Sequence, residues 1–527
     1  MTTAHHPPST SKVLPTQPER KRRKKAQRLR SYGRRDRRAE RRQKLLPVFN
    51  KARRDIAGGQ RGDGDKRARH VRRPDPRTIH IGPPDPNLTG VAGLVSSGAY
   101  LADLGVDSQL AKHFTRLKNR EKAIYFMEVQ LRMLIDLFVV GESRVFGLEA
   151  LSADPLFVLL CGGIISSLDT VYRDLRRFDE EAIEALDVLL GLHGVAPLGD
   201  LRRRIIHLDI DTTVEPLFGS SIAGAEIGYN AQYRGRPSYH PVIGRVAETD
   251  TIVGALLRPG NTTFGGAEVP LIQRWLDRTR KAVGPHALIY VRIDTAGDCT
   301  AVMHAVDERK SFFLVKAKID EALASAISTC TAWETVDCDA DDRPLRQVAE
   351  IEFVREEWKK KKKGEGEGEG EGEGEGEGEG EGDKYFRVIA VRSRDRDHGK
   401  QLYLWNDLDY AVQAYITNDI YSDADDMAQD YNGRAGIEAL IGEFKSHWGI
   451  GKVSTESFDA NHATLLLKLL AHNLLRRYVN AKVPHLRKWR APWVRRVLIG
   501  VPGRLVRGPG RKRILRMAPR PSFTLRE

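Results

Sequence analysis

Three acidic residues stand at positions where carboxylates commonly bind divalent cations. Asp211 ends the apolar run Ile205–Ile210, and Asp294 ends a second run, His286–Ile293; both runs are typical of buried strands. Glu438 lies later in the chain, in a segment with helical periodicity. Carboxylates from two neighbouring strand ends and one packed helix can converge on hard, oxygen-liganded cations such as Mg²⁺. Two such ions, about 3.5–4 Å apart, can support an in-line displacement at phosphorus.

The two aspartates also have a simpler explanation, because an aspartate at a strand end often caps a turn or a helix. Asp209 adds an alternative for the first position. It lies two residues before Asp211, so both side chains point to the same face of the strand. We favour Asp211 because it is nearer the strand end and is followed by Thr212–Thr213.

The segment around Glu438 places four polar residues on one face of a predicted helix. At about 100° per residue, this polar set falls within roughly 60°: Tyr431, Arg434, Glu438 and Lys445. The adjacent face is apolar and predicts packing against a core: Ile437, Leu440, Ile441 and Phe444. The alternative is an ordinary solvated face with salt bridges. Asn432–Gly433 is a turn signal, which leaves open whether Tyr431 belongs to the same helix.

The charge balance of the chain favours a polyanionic partner. Its 527 residues include 86 Lys and Arg against 71 Asp and Glu, which gives a net charge of +15 and a pI near 9.5. Nucleic acid fits this balance better than a membrane, since the longest apolar run, Leu156–Ile165, is shorter than the roughly 20 residues of a spanning helix. The N-terminus lacks the apolar core of a signal peptide, which predicts a cytoplasmic protein. The four cysteines lack metal-site spacing and are predicted to be free thiols: Cys161, Cys299, Cys330 and Cys338.

Changes in composition and periodicity predict six regions along the chain. They are a disordered basic tail (1–85), a helical domain (86–200), the first part of an α/β core (201–330), a β-rich insertion (331–417), the helical second part of the core (418–480) and a basic tail (481–527). The first tail is either a solvated segment or a phosphate-binding arm. Inside the insertion, the Gly-Glu repeat 364–382 cannot bury a core and predicts a disordered linker.

The fold class that follows is α/β, with one mixed sheet covered by helices. The first part of the core predicts a meander of three strand-like segments: Ile205–Asp211, Ala225–Tyr233 and Ser238–Leu257, the last with a break near Glu248. Helices and strands then alternate: helix Val269–Val283, strand His286–Asp294, helix Ala301–Glu308 and strand Phe312–Ile319. The insertion has three candidate strands: Val348–Val354, Tyr385–Ser393 and Gln401–Trp405. Two helical segments follow: Ala424–Lys445 and Ala460–Tyr478.

The pattern Tyr-x2-Arg-x3-Glu-x6-Lys resembles the signature of bacterial insertion-sequence DDE transposases with an RNase H-like core. Asp211–Thr213 resembles the first catalytic segment of that family, and Arg292–Thr295 resembles the second. Tyr415–Asn418 and Phe458–His462 resemble the segments that flank the third. The likeness covers about residues 90–478.

The resemblance implies an RNase H-like core with a helical N-terminal domain and a β-rich insertion. It implies that the helical domain binds DNA and that the core is catalytic. It implies a metal-dependent transposase that cleaves DNA and joins it to a target, and it assigns Mg²⁺ or Mn²⁺ to three carboxylates: Asp211, Asp294 and Glu438. Arg434 and Lys445 would grip phosphates near the cleaved transposon end, and Tyr431 would order the strand. The implied partners are transposon ends and target DNA, bound by a homodimer in the bacterial cytoplasm, at the nucleoid and away from membranes.

Two other functions remain open on the sequence. A nuclease or resolvase with the same fold would hydrolyse DNA without joining it. A catalytically inactive DNA-binding protein would use the basic tails alone. Two tryptophans of the insertion, Trp333 and Trp405, could stack on an unpaired base, although simple packing is the favoured explanation for both.

Overall fold

One compact unit of this protein covers Asp85–Met517. The computed structural model describes residues 75–201, 205–219, 221–230, 233–338, 342–358, 386–394, 410–452 and 455–518. Most of the predicted basic tail 1–85, the Gly-Glu linker 364–382 and the candidate strand Gln401–Trp405 lie outside these described residues. Those three predictions, and the boundaries between the predicted domains, stay predictions.

The segment predicted to be a helical domain begins with a short strand and contains seven α-helices. They are β1 (Leu88–Thr89), α1 (Leu94–Asp103), α2 (Val106–Phe114), α3 (Met127–Val140), α4 (Leu148–Leu151), α5 (Pro155–Leu160), α6 (Leu168–Leu175) and α7 (Glu180–Val195). Short polar side chains begin several helices because they satisfy the free N–H groups of a first turn. Asp154 accepts hydrogen bonds from Leu156 and Phe157 at 3.0 Å, and Ser167 and Asp179 cap α6 and α7. The prediction of helices here is confirmed.

A nine-stranded mixed sheet forms the centre of the unit. Its strands are β2 (Ile205–Thr212), β5 (Val242–Val246), β6 (Thr251–Leu256), β7 (Leu288–Ile293), β8 (Phe312–Lys316), β9 (Glu334–Cys338), β10 (Pro344–Ile351), β11 (Arg387–Arg394) and β12 (Tyr410–Thr417). Two short strands, β3 (Glu215–Pro216) and β4 (Ser238–Tyr239), form a separate pair. The order across the sheet is β6-β5-β2-β7-β8-β12-β11-β10-β9. β2, β7 and β8 run parallel, and the other neighbouring strands pair antiparallel.

Alternating side chains divide the central strands between two buried faces. In β2, Ile206, Leu208 and Ile210 join one core cluster together with Trp275. That face is covered by α8 (Val269–Val283), α9 (Thr300–Glu308) and α10 (Glu321–Thr329). The opposite face carries Tyr290 of β7, in a smaller cluster with residues of a later helix. The polar residues of β2 point to this second face, where the candidate site lies.

The C-terminal part of the chain adds helices that close the second face. They are α11 (Ala424–Asn432), α12 (Ala435–Glu443), a π-helical turn (Phe444–Trp448), the long α13 (Phe458–Lys482), α14 (Ala491–Val494) and a second π-helical turn (Arg495–Ile499). The predicted helix Ala424–Lys445 is divided near Gly433, where the backbone bonds of Arg434, Gly436 and Ile437 reach back three residues instead of four. Tyr431 therefore lies on α11, and Glu438 on α12.

Two expectations of the sequence analysis need correction. Ala225–Tyr233 is not a strand: its described residues make only the isolated bridge Glu226–Ser238, and its apolar side chains Ile227 and Tyr229 face solvent. The basic segment 481–527 is no simple tail, since it contains α14 and a hairpin of β13 (Gly503–Arg507) with β14 (Arg513–Met517).

One helical stretch among the described residues, Glu180–Asp200, is long and apolar enough to cross a membrane by length and composition alone. Half of its apolar window is buried inside the protein. It packs against α13 and β6. The stretch therefore also fits the core of the unit.

Candidate active site

The first two predicted acids lie side by side at one edge of the sheet. β2 and β7 are parallel neighbours, and Ile210 pairs with Ile293. Asp211 and Asp294 are the next residues on each strand, so their carboxylates leave the sheet at the same end. Asp211 accepts a hydrogen bond from the N–H of Thr212 at 2.9 Å. Asp294 caps a short 3₁₀ turn, so its predicted alternative as a capping residue is also realised.

The guanidinium of Arg434 joins the three predicted acids. Its Nη2 lies 2.9 Å from Oδ1 of Asp211 and 3.9 Å from Oδ2 of Asp294. Its Nη1 lies 2.9 Å from Oε1 of Glu438, one helical turn further along the chain. The structure therefore brings together Asp211, Asp294 and Glu438 around one positive charge. We call this group the carboxylate cluster.

The solvent exposure of the carboxylate side chains increases from one side of the cluster to the other. The side chain of Asp211 is 11% exposed, that of Asp294 is 40% exposed and that of Glu438 is 63% exposed. Arg434 is 6% exposed, and its Nε has no hydrogen-bond partner among the described residues. A ligand would therefore approach from the side of Glu438.

Burial dominates the electrostatics of the cluster. Desolvation raises the pKa of Asp211 to about 6, and the negative charges of Asp294 and Glu438 add to this rise. The attraction of Arg434 and a hydrogen bond from Thr212 oppose it. For Arg434, burial lowers the pKa, but the surrounding acids outweigh it and the pKa is raised. An ionised Asp211 is thus held at a free-energy cost that any additional cation would reduce.

The donor set of the cluster suits a hard divalent cation, because carboxylate oxygens are the ligands that Mg²⁺ and Mn²⁺ prefer. In this conformation the guanidinium of Arg434 takes the central position. Within the described ranges, no group of three or more His, Cys, Asp or Glu side chains is placed to hold a metal ion. The residues therefore fit such an ion by their chemistry, and Arg434 competes with it for the same oxygens.

Asp209, the alternative to Asp211, has different surroundings. Its side chain is completely buried, and its two oxygens lie 2.8 Å from Arg245 and 2.7 Å from Arg292. The partner Arg292 faces it directly, because the two residues pair in the register of β2 with β7. Asp209 therefore binds two guanidinium groups inside the protein and is closed to a substrate.

His207 extends this buried network on the same face of β2. Its Nδ1 lies 2.8 Å from Glu248, and its Nε2 lies 3.0 Å from Asp430. Burial lowers the pKa of His207, but the hydrogen bonds to the two carboxylates outweigh burial and raise it to about 9. His207 is therefore a cation at neutral pH that ties α11 to the sheet.

The remaining predicted site residues have partners inside the protein. Tyr431 is buried, and its ring lies 4.6 Å from the ring of Tyr415. Lys445 donates to the carbonyl oxygen of Val214 at 2.8 Å and lies 3.4 Å from Glu215. Among these residues, Lys445 is the one whose side chain stays substantially exposed, at 39%. Their contacts with DNA stay predictions.

Of the two tryptophans of the insertion, Trp333 packs against its neighbours. Trp333 donates through Nε1 to the carbonyl oxygen of Cys330 at 3.0 Å, and the guanidinium of Arg392 lies 4.2 Å from its ring. This is the packing arrangement that the sequence analysis favoured. Trp405 lies outside the described residues.

The sequence analysis missed the polar network beneath the cluster. The available signal was a charged residue inside each of two apolar strand runs, Asp209 in the first and Arg292 in the second. Opposite charges at such positions indicate a buried ion pair between neighbouring strands. For Arg434, the i,i+4 spacing to Glu438 was a signal, but Asp211 and Asp294 come from separate strands and left none.

Comparison with known proteins gives one family match and a distant structural likeness. Residues 85–363 match the family described as Transposase DDE domain group 1. The matched range contains Asp211 and Asp294 and ends before Glu438. No curated protein matches the sequence. Among solved structures, the chain is similar to the piggyBac transposase in a cryo-EM structure of its synaptic complex with hairpin DNA. The identity is 12% and the TM-score is 0.39, over 77% of this chain and 79% of that chain.

Proposed function

We propose that this chain, which belongs to the Transposase DDE domain group 1 family, cleaves DNA at the terminal inverted repeats of an insertion sequence and joins the freed ends to target DNA. The observation that carries the proposal is the arrangement of three carboxylates around Arg434 at the ends of two parallel strands. A nuclease or resolvase without joining activity is the second candidate, because the same cluster would serve hydrolysis alone.

The sheet supports an RNase H-like core for this function. The order β6-β5-β2-β7-β8 combines an antiparallel meander with two further parallel strands that are connected by helices. The sequence predicted the same pattern, a meander followed by alternating helices and strands. We propose that the catalytic core includes these five strands and α12, with the insertion strands as an extension of the sheet.

We assign Asp211, Asp294 and Glu438 as the ligands of Mg²⁺ or Mn²⁺. When bound, such ions lower the pKa of a coordinated water or hydroxyl and stabilise the leaving oxygen of a phosphoryl transfer. Asp211 would hold its charge in the buried wall of the site, and Glu438 would remain on the solvent side. Arg434 and Lys445 would bind backbone phosphates of the DNA, since the planar guanidinium of arginine matches two phosphate oxygens.

The test is a cleavage and joining assay with the full chain, Mg²⁺ and DNA that carries the ends of its own element. We expect Asp294→Ala and Glu438→Ala to abolish both cleavage and joining while DNA binding persists. Asp277→Ala removes a similarly exposed carboxylate from α8 and serves as the matched control. Cleavage without joined products would favour the nuclease. Unchanged cleavage in both variants would refute the assignment and leave a DNA-binding protein.

The proposed partners follow from the reaction. Two transposon ends must be brought together, so we propose a homodimer on double-stranded DNA, in the bacterial cytoplasm at the nucleoid. Light scattering of the full chain with and without DNA tests the oligomeric state. A complex that contains one copy of the chain and one DNA end at saturation would contradict the dimer.

A further inference from the structure

The hairpin of β13 and β14 is strongly basic. Residues Gly503–Met517 contain no acidic residue and six basic ones: Arg504, Arg507, Arg511, Lys512, Arg513 and Arg516. The two strands pair antiparallel in a three-stranded sheet of order β1-β13-β14. Within the part of the chain that the structure describes, β14 is therefore an edge strand, with no strand paired to its outer side.

The register of the hairpin places like charges directly opposite each other. Arg504 faces Arg516, and Arg507 faces Arg513. Like charges at opposed positions destabilise an antiparallel pair unless counter-ions neutralise them. Arg504 lies 3.0 Å from Asp85, whereas Arg507, Arg513 and Arg516 are exposed and form no ion pair with any described residue. Among the described residues, these three positive charges therefore have no acidic partner.

The segment that precedes the hairpin packs against the end of the helix that carries Glu438. Glu443 ends the helix that carries Glu438, and its Oε1 accepts a hydrogen bond from the N–H of Ala491 at 2.9 Å. The guanidinium of Arg495 lies 3.9 Å from the ring of Trp448, in the π-helical turn that continues this helix. The segment that leads into β13 is therefore packed directly on the continuation of the catalytic helix.

We propose that the hairpin Gly503–Met517 is a β-ribbon that binds duplex DNA. The major groove of B-DNA, about 12 Å wide, admits a two-stranded ribbon. Each five-residue strand spans about 17 Å at 3.4 Å per residue, which suffices to cross the groove and reach phosphates on both sides. The inference rests on the proposed function for the identity of the partner, but it concerns a surface outside the carboxylate cluster.

Another explanation exists for arginines on an edge strand. Charged side chains there prevent the strand from pairing with a second protein chain. That explanation predicts aggregation when the charges are removed, with no change in the DNA affinity of the soluble protein. It applies less directly to Arg504 on β13, which pairs with β1 on one side and with β14 on the other.

The test variant is Arg507→Gln/Arg513→Gln/Arg516→Gln in the full chain. Binding to a random-sequence duplex of about 30 base pairs is measured between about 50 and 200 mM salt. Each lost phosphate contact lowers the slope of log affinity against log salt by about 0.9 and the affinity at 0.1 M salt by roughly eightfold. We expect a loss between about eightfold and 500-fold, for one to three lost contacts.

The matched control removes the same charge from another surface. Arg274→Gln/Lys281→Gln/Arg309→Gln alters three cations on or beside α8, of which Arg274 pairs with Glu184 and Arg309 with Asp277, and we expect affinity within about twofold of the unaltered chain. Equal unfolding temperatures of both triple variants and the unaltered chain establish that they fold. Binding of the ribbon variant that equals binding of the control, with or without aggregation, would overturn the proposal.

The ribbon and the catalytic proposal can fail separately. Glu438→Ala should bind the random duplex with the salt slope of the unaltered chain and should not cleave transposon ends. If Glu438→Ala cleaves normally while the ribbon variant binds weakly, the catalytic assignment fails and the ribbon stands. If the ribbon variant binds normally while Glu438→Ala is inactive, the ribbon fails alone.

Discussion

Replacement of Asp211 by asparagine should stabilise the fold while it removes the proposed activity. The carboxylate of Asp211 is nearly buried beside two other acids, and the pKa of Asp211 is raised from 3.8 to about 6, mainly by desolvation. Asparagine resembles the protonated carboxyl in shape and charge. Asp211→Asn therefore places a permanently neutral side chain where the folded protein favours a neutral carboxyl. It also removes the negative charge that a metal ligand requires.

The size and the pH range of the effect follow from the pKa. Between pH 3.8 and about 6, the folded protein retains a proton that the unfolded chain releases. The free energy of unfolding therefore falls as pH rises through this window. A rise of about two pH units corresponds to about 3 kcal/mol, and this figure already includes the attraction of Arg434. Asp211→Asn should thus be nearly neutral below pH 4 and stabilising by up to about 3 kcal/mol above pH 7.

The assay is urea unfolding of both proteins at about pH 4 and pH 8, with the difference between them isolating this one group. Asp209→Asn is the matched control, two residues away on the same strand face. Burial also raises the pKa of Asp209, but each of its oxygens accepts from a buried guanidinium. Asparagine keeps one of these oxygens and turns an amide donor toward the guanidinium of either Arg245 or Arg292, at a cost of about 3–5 kcal/mol. If Asp211→Asn lost as much stability at pH 8 as Asp209→Asn, the ionised carboxylate of Asp211 would not be destabilising, and this reasoning would be wrong.

Two further predictions concern the support of the site. His207 has its pKa raised from 6.5 to about 9, because hydrogen bonds to carboxylates outweigh burial. Its contribution to stability is fully present below pH 6.5 and lost as pH rises through about 9, so His207→Gln should flatten the unfolding free energy over that window in a pH titration. A methyl group at Gly254 would lie 2.0 Å from Nε1 of Trp275, so Gly254→Ala should lower the unfolding free energy by about 1–3 kcal/mol. Gly442 has open space in a helix, and Gly442→Ala should raise it by about 1 kcal/mol; equal effects of the two alanines in urea unfolding would contradict the packing argument.

The elements of the core could be predicted where one local rule decided them. Helix Val269–Val283 has the predicted bounds, because its proline at the second position and the following Gly284 mark both ends. The runs that contain β2 and β7 are largely buried on both faces, as central parallel strands require, and one face of each is apolar. Asp211 and Asp294 could be placed at strand ends for the same reason.

Pairing between distant strands was harder to predict, because it depends on contacts that no local pattern records. The segment Pro344–Ile351 has the composition of a strand, but nothing within it shows that its sheet continues through β12 to β8. The apolar residues of Ala225–Tyr233 also look like strand residues. Ile227 and Tyr229 nevertheless face solvent at 60% and 78% exposure, because the described residues of this loop pair with the rest of the chain through one bridge only.

Arg434 shows why the residues of a site can be predicted from a sequence while the contacts between them cannot. Its spacing from Glu438 is that of an i,i+4 ion pair, so the sequence could join these two residues. Asp211 and Asp294 reach the same guanidinium only because β2, β7 and α12 meet at one edge of the sheet. A cluster of three carboxylates with no cation would repel itself, and the buried member would bear most of that cost. Arg434 therefore stabilises the folded protein by neutralising the three carboxylates. A phosphate or a metal ion that binds here must compensate for the loss of these ion pairs.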